Sequence, residues 1–119
     1  MQYLLMIYAN EAQLGTMPEA EQGKVFKEYM DFTKSIHGSG HYKGGNRLDA
    51  STTATTLRVR EGKRLVTDGP YAETKEQLGG FFLVEAKDAD EALGIAERIP
   101  GARWGAIEVR PIIPVPPPA

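Results

Sequence analysis

Two short runs constrain this chain more than any other feature. Tyr3-Leu-Leu-Met-Ile-Tyr8 and Phe81-Phe-Leu-Val-Glu-Ala86 are apolar at both parities. Side chains alternate across a strand, so such a strand is buried on both faces and belongs in the middle of a sheet. A chain of 119 residues has room for one domain, here expected over 1–110, with a proline-rich tail over 111–119. That domain must place both runs in the middle of its sheet.

The intervening segments supply the rest. Asn10 to Gly15 reads as a polar connection. Thr16-Met-Pro-Glu19 has the form of a capping box with proline in the first turn. It opens a helix whose apolar face is Val25, Phe26, Tyr29, Met30, Phe32 and Ile36, ended by Gly38 and Gly40. His41 to Leu48 reads as a strand weakened by Gly44 and Gly45. Thr55–Arg60 and Lys63–Thr67 flank Glu61-Gly62, a tight-turn signal, and form a hairpin with a basic edge. Tyr71 to Leu78 reads as a short helical turn between the breaks Asp68-Gly-Pro70 and Gly79-Gly80. Asp88 with Glu91 caps a second helix whose inner stripe is Ala89, Ala92, Leu93, Ala96 and Ile99. Trp104 to Arg110 is the last strand.

Right-handed crossovers place both helices on one face of the sheet. The expected fold is therefore α+β, a ferredoxin-like split βαβ sandwich with an extra hairpin. Its other face carries one parity of each doubly apolar strand and is too apolar to stay wet. A second copy packed face to face about a two-fold axis would cover it, so a homodimer through the sheet face is expected.

Composition narrows the function classes. There is no cysteine, which removes disulfides, thiolate zinc sites and cysteine nucleophiles. Fourteen basic against sixteen acidic residues give no nucleic-acid footprint. No run is long enough to span a bilayer and the N-terminus lacks a signal-peptide pattern, so a soluble cytoplasmic chain without membrane contact is expected. No metal or cofactor motif is present: His37 and His41 are the only histidines, and Gly44-Gly45 and Gly79-Gly80 lack the P-loop spacing.

The densest polar segment is Thr67–Gly80, with Asp68, Tyr71, Glu73, Lys75 and Glu76 within nine residues. Asp68 reads two ways. At a strand end beside a buried strand it is a candidate catalytic base; otherwise it holds the Pro70 turn, with Glu73, Lys75 and Glu76 as a solvated face. Lys75 and Arg47 are candidate anion clamps, and Tyr71 and Glu73 candidate lining residues. His41 is a candidate acid–base group because imidazole titrates near neutrality. A pocket of roughly 300 Å³ or more holding Asp68 would point to a small-molecule site. A shallow surface there would point to an interaction module instead.

The run Asp68 to Glu85, opening Asp-Gly-Pro-Tyr, resembles the signature of DGPF-type proteins of the YCII-related superfamily, with Tyr71 where phenylalanine is usual. Tyr3–Tyr8, Thr53–Arg60 and Glu108–Pro111 match as well. The resemblance implies a dimeric α/β-barrel of bacterial origin. It also implies either a small molecule bound or acted on near the Asp-Gly-Pro motif, or a regulatory module associated with an extracytoplasmic-function sigma factor system. Some members of the wider superfamily resemble enzymes with a histidine–aspartate pair whose histidine lies early in the first helix. Glu19–Tyr29 holds no histidine, so Asp68 alone carries over.

Overall fold

The structure, a computed structural model, describes residues 1–118. The chain runs β1 (Gln2–Ala9), α1 (Glu11–Gly15), α2 (Glu19–Gly38), β2 (Tyr42–Arg47), β3 (Thr55–Arg60), β4 (Lys63–Asp68), β5 (Gln77–Glu85), α3 (Ala89–Glu97) and β6 (Ala106–Pro111), with single 3₁₀ turns at Ser51–Thr53 and Pro100–Arg103. Four strands form one antiparallel sheet in the order β2-β5-β1-β6, and among the described residues β3 and β4 pair only with each other. The two doubly apolar runs are the two central strands. This is the ferredoxin-like α+β arrangement, with the β3–β4 hairpin inserted between β2 and β5.

One parity of the central strands makes the core. Tyr3, Leu5, Phe82 and Val84 are buried under Phe32 and Ile36 of α2 and Ala92, Ile95 and Ala96 of α3. The Phe32 ring meets Phe82 edge-on at 5.2 Å. The opposite parity points to the helix-free side. Register places Leu4 beside Leu83 and Arg110, and Met6 beside Phe81 and Glu108. Leu4, Met6, Phe81 and Leu83 are half-buried in the single chain.

Local expectations were displaced where a neighbour outweighed the local signal. Residues 11–15 are a helix, because the Asn10 side chain accepts the Gln13 N–H at 3.0 Å and caps it. Thr16 then ends α1 instead of starting α2, its hydroxyl donating to the Gln13 carbonyl at 2.7 Å. The helix α2 begins at Glu19 behind Pro18, which offers no side-chain cap. Phe26 (63% exposed) and Met30 leave the buried face, since around the helix Phe26 stands about 80–120° and Met30 about 120–160° from Phe32 and Ile36. On α3, Ile95 takes the inward place expected of Leu93, and Ala89 is exposed.

No helical turn forms over 71–78. Instead β5 starts at Gln77 and continues through Gly79 and Gly80. Gly80 does not break it because the space is needed: a β-carbon there would lie 2.9 Å from the Asn46 carbonyl oxygen of β2. Trp104 follows a 3₁₀ turn, and the last strand starts two residues later. The hairpin turn forms as read, with Glu61 (φ 51°) and Gly62 (φ 73°) both left-handed, as a type I′ turn requires. After Pro111 the described tail has no regular structure; Ile112 N–H donates to the Gln2 carbonyl at 2.9 Å.

Candidate functional site

An open groove of about 460 Å³ runs between the 74–76 segment and the start of β6, lined by Tyr8, Thr74, Lys75, Glu76, Ala106, Ile107 and Glu108. Each wall has a local cause. The Thr74 hydroxyl donates to the Glu76 carbonyl, and Gln77 Nε2 donates to the Thr74 carbonyl at 2.6 Å, which folds the segment into a tight bend. The opposite wall is set by register, Tyr8 pairing with Ala106 and Met6 with Glu108. Gly105 makes that approach possible, because a β-carbon on it would collide with the Tyr8 carbonyl oxygen. Alternation puts Glu108 and Arg110 on one side of β6, where the guanidinium Nε lies 2.9 Å from Glu108 Oε2.

The turn that delivers β6 is fastened to α2. Arg103 Nη1 lies 2.6 Å from Glu28 Oε2. That hydrogen bond holds the Glu28 carboxyl below the ordinary glutamate range and keeps the Arg103 guanidinium charged to still higher pH. Gly101 N–H donates to the Tyr29 hydroxyl at 3.2 Å, and burial of the ring pushes the Tyr29 phenol up.

Of the six residues singled out in the sequence, Lys75 alone lines this groove. Asp68 is exposed at the base of the hairpin, opposite Thr55. The Asp-Gly-Pro turn is held by its glycine: Gly69 (φ 107°) donates its N–H to the Ala54 carbonyl at 2.7 Å, and its carbonyl accepts the Thr56 hydroxyl at 2.8 Å. Tyr71 is 78% exposed, with the Arg58 guanidinium 5.2 Å over its ring. Glu73 is exposed, and Arg47 is exposed at the end of β2, paired with Gly80.

His41 departs from the expectation that it shares a pocket with these groups. It precedes β2 at the other end of the sheet, roughly 20 Å from Arg47 by strand rise. Its Nε2 lies 3.2 Å from Glu91 Oε1 and its Nδ1 lies 2.6 Å from Ser39 Oγ. It therefore ties β2 to the first turn of α3. Among the described residues no three His, Asp or Glu side chains converge as a metal site would need, and no helix is long and apolar enough to cross a membrane.

Two positions were missed in the sequence. Glu11 accepts both the N–H and the hydroxyl of Ser51 at 2.7 Å each, which anchors the loop before the hairpin. Glu108 reaches the groove only because β6 pairs with β1. Its one sequence signal is the alternation that places it beside Arg110 on the helix-free face.

The family model described as the YCII-related domain matches residues 1–116. An uncharacterized protein of Rhizobium meliloti (strain 1021) is 35% identical over 114 residues, covering 94% of this chain and 92% of that protein. Among solved structures, the 5-chloro-2-hydroxyhydroquinone dehydrochlorinase of Burkholderia phenoliruptrix AC1100, in complex with 2,5-dihydroxybenzoquinone, is similar over 95% of this chain and 94% of that one, with a TM-score of 0.49 and 16% identity.

Proposed function

The chain belongs to the family of YCII-related domain proteins, and from that premise we propose that it binds a small hydroxylated organic anion in the groove beside β6, as a homodimer. The observation that carries the reading is the placement of Lys75 in that groove, facing a wall that holds Glu108. A lysine ammonium is a compact anchor for a ligand carboxylate or phosphate. Glu76 and Glu108 are acceptors for ligand hydroxyls, and Tyr8 offers a flat apolar surface with a polar end. A groove of this volume suits a small metabolite. The reading uses the second half of the motif segment as the binding element and treats Asp68 as a turn residue. The half-buried Leu4, Met6, Phe81 and Leu83 support the homodimer, since a second copy would cover them.

A second reading, an interaction module without catalysis, draws on the hairpin. Leu57, Val59, Leu65 and Val66 are 47–60% exposed there.

A thermal-shift panel with malate, citrate, salicylate and inorganic phosphate tests the first reading on wild type, Lys75→Ala and Asp68→Ala. At about ten times Kd, binding raises Tm by roughly 5 °C. The reading expects at least one organic probe to stabilise wild type and Asp68→Ala, and to lose that effect in Lys75→Ala. It is overturned if no probe stabilises wild type, or if Lys75→Ala responds as wild type does.

A further inference from the structure

We propose that the β3–β4 hairpin is an exchange arm: it lays its Leu57, Val59 and Val66 face on the helix-free sheet face of a second copy and carries Arg64 to that copy's groove. This rests on the groove reading above and adds to it a residue supplied in trans.

Among the described residues the arm's strands pair only with each other. Of its twelve strand residues only Thr56 is even partly buried. Isolated two-stranded hairpins are marginal in water and need packing against something else. The molecule, arm and tail included, is extended. The radius of gyration is 16.6 Å and the extents are 48 × 48 × 20 Å, against about 13.5 Å for a compact chain of this length.

Its two faces differ in chemistry. Register pairs Leu57 with Val66 and Val59 with Arg64 on one face, and Arg58 with Leu65 and Arg60 with Lys63 on the other. The second face is cationic and suits solvent. The first is apolar in its middle, between Arg64 near the tip and Asp68, paired with Thr55, at the base. The body offers an apolar field of Leu4, Met6, Phe81 and Leu83, bordered by Glu108 with its ion-pair partner Arg110 and, across the groove, by Glu76.

Net charge agrees with this assignment. The arm holds four basic residues against Glu61 and Asp68, so it is net +2 in a chain of −2, which leaves the body at −4. Opposite signs steer and register such a contact. A two-fold operation satisfies both copies at once: each arm reaches the other's sheet, and the assembly closes at two.

The absence of native cysteine allows a clean test. A Val59→Cys chain and a Met6→Cys chain are co-expressed and mildly oxidised. The proposal expects a disulfide-linked pair that forms from the mixture and not from either chain alone, and a wild type that sediments at twice the mass of one chain. Leu57→Asp with Val66→Asp should sediment as a single chain with an unchanged far-UV spectrum. A wild type that sediments as one chain, a dimer without the mixed cross-link, or a dimer that survives the double substitution overturns the arm. The groove reading stands or falls separately, on the response of Lys75→Ala to the small-molecule probes.

Discussion

The hydroxyl oxygen of Tyr29 accepts a hydrogen bond from the backbone N–H of Gly101 at 3.2 Å, joining the middle of α2 to the turn that launches β6. Gly101 is buried, so its N–H has little access to water in place of that oxygen. Tyr29→Phe should cost about 1 kcal/mol. A β-carbon at position 101 would lie 2.7 Å from the same hydroxyl and 3.2 Å from Ile7 Cγ2. Gly101→Ala should then cost about 1–3 kcal/mol by overpacking. Because one hydroxyl underlies both losses, the double variant should be more stable than the sum of the singles implies, which urea unfolding of the four-member cycle measures directly.

The ion pair beside it sets a pH dependence. The Glu28 carboxyl is held below the ordinary glutamate range, chiefly by its hydrogen bond to Arg103. A lowered folded value means the unfolded chain binds the proton more readily. The contribution is therefore full at neutral pH and is lost as pH falls from the ordinary glutamate range through the lower folded value. Denaturation midpoints between pH 7 and pH 3 should fall less steeply in Glu28→Gln than in wild type, with the curves converging at the acid end.

Two glycine substitutions should act in opposite directions. Gly105→Ala drives a methyl group into the Tyr8 carbonyl oxygen, at the point where β1 and β6 begin to pair and where the groove wall forms. A loss of about 1–3 kcal/mol is expected, together with amide shifts at Tyr8 and Ala106. Gly94 lies within α3 and a β-carbon there meets nothing within 4 Å. Gly94→Ala should gain about 0.5–1 kcal/mol by lowering backbone entropy of the unfolded chain. Parallel guanidinium titrations of the two variants check the signs.

The cap of α3 gives a fourth expectation. Asp88 accepts the Glu91 N–H at 2.9 Å, and Glu91 in turn accepts the Lys87 N–H at 3.1 Å. Asp88→Ala should cost about 1 kcal/mol. Hydrogen exchange should quicken in the first turn of α3 before it quickens in β1 or β5.

That cap was plain in the sequence, and so were the two central strands, the hairpin with its Glu61-Gly62 turn and the layer order. Each is fixed by chemistry within a few residues or by the parity of an apolar run. Thr16-Met-Pro-Glu19 has the same local form as Asp88 to Glu91, yet Thr16 closes α1, because Asn10 had already nucleated a turn upstream. Nothing within Thr16–Glu19 records that competition. Phe26 and Met30 share helical spacing with Phe32 and Ile36, but only the placement of the second helix decides which half of a wide apolar face is covered. The groove was the least legible part. Lys75 was singled out for its charge, whereas Glu108 lies far along the chain and reaches the same groove only through the β1–β6 register. Asp68 drew attention as a carboxylate beside a buried strand, but the hairpin carries it outward and Gly69 holds the turn.

Backbone amide mapping of a bound probe tests the central claim most directly. Wild-type protein labelled with ¹⁵N is titrated with whichever of malate, citrate, salicylate or phosphate raises its melting temperature most. The account predicts saturable shifts clustered at Tyr8, Thr74 to Glu76 and Ala106 to Glu108. Saturable shifts centred on Asp68 and Tyr71, or shifts spread over the surface without saturation, would contradict it.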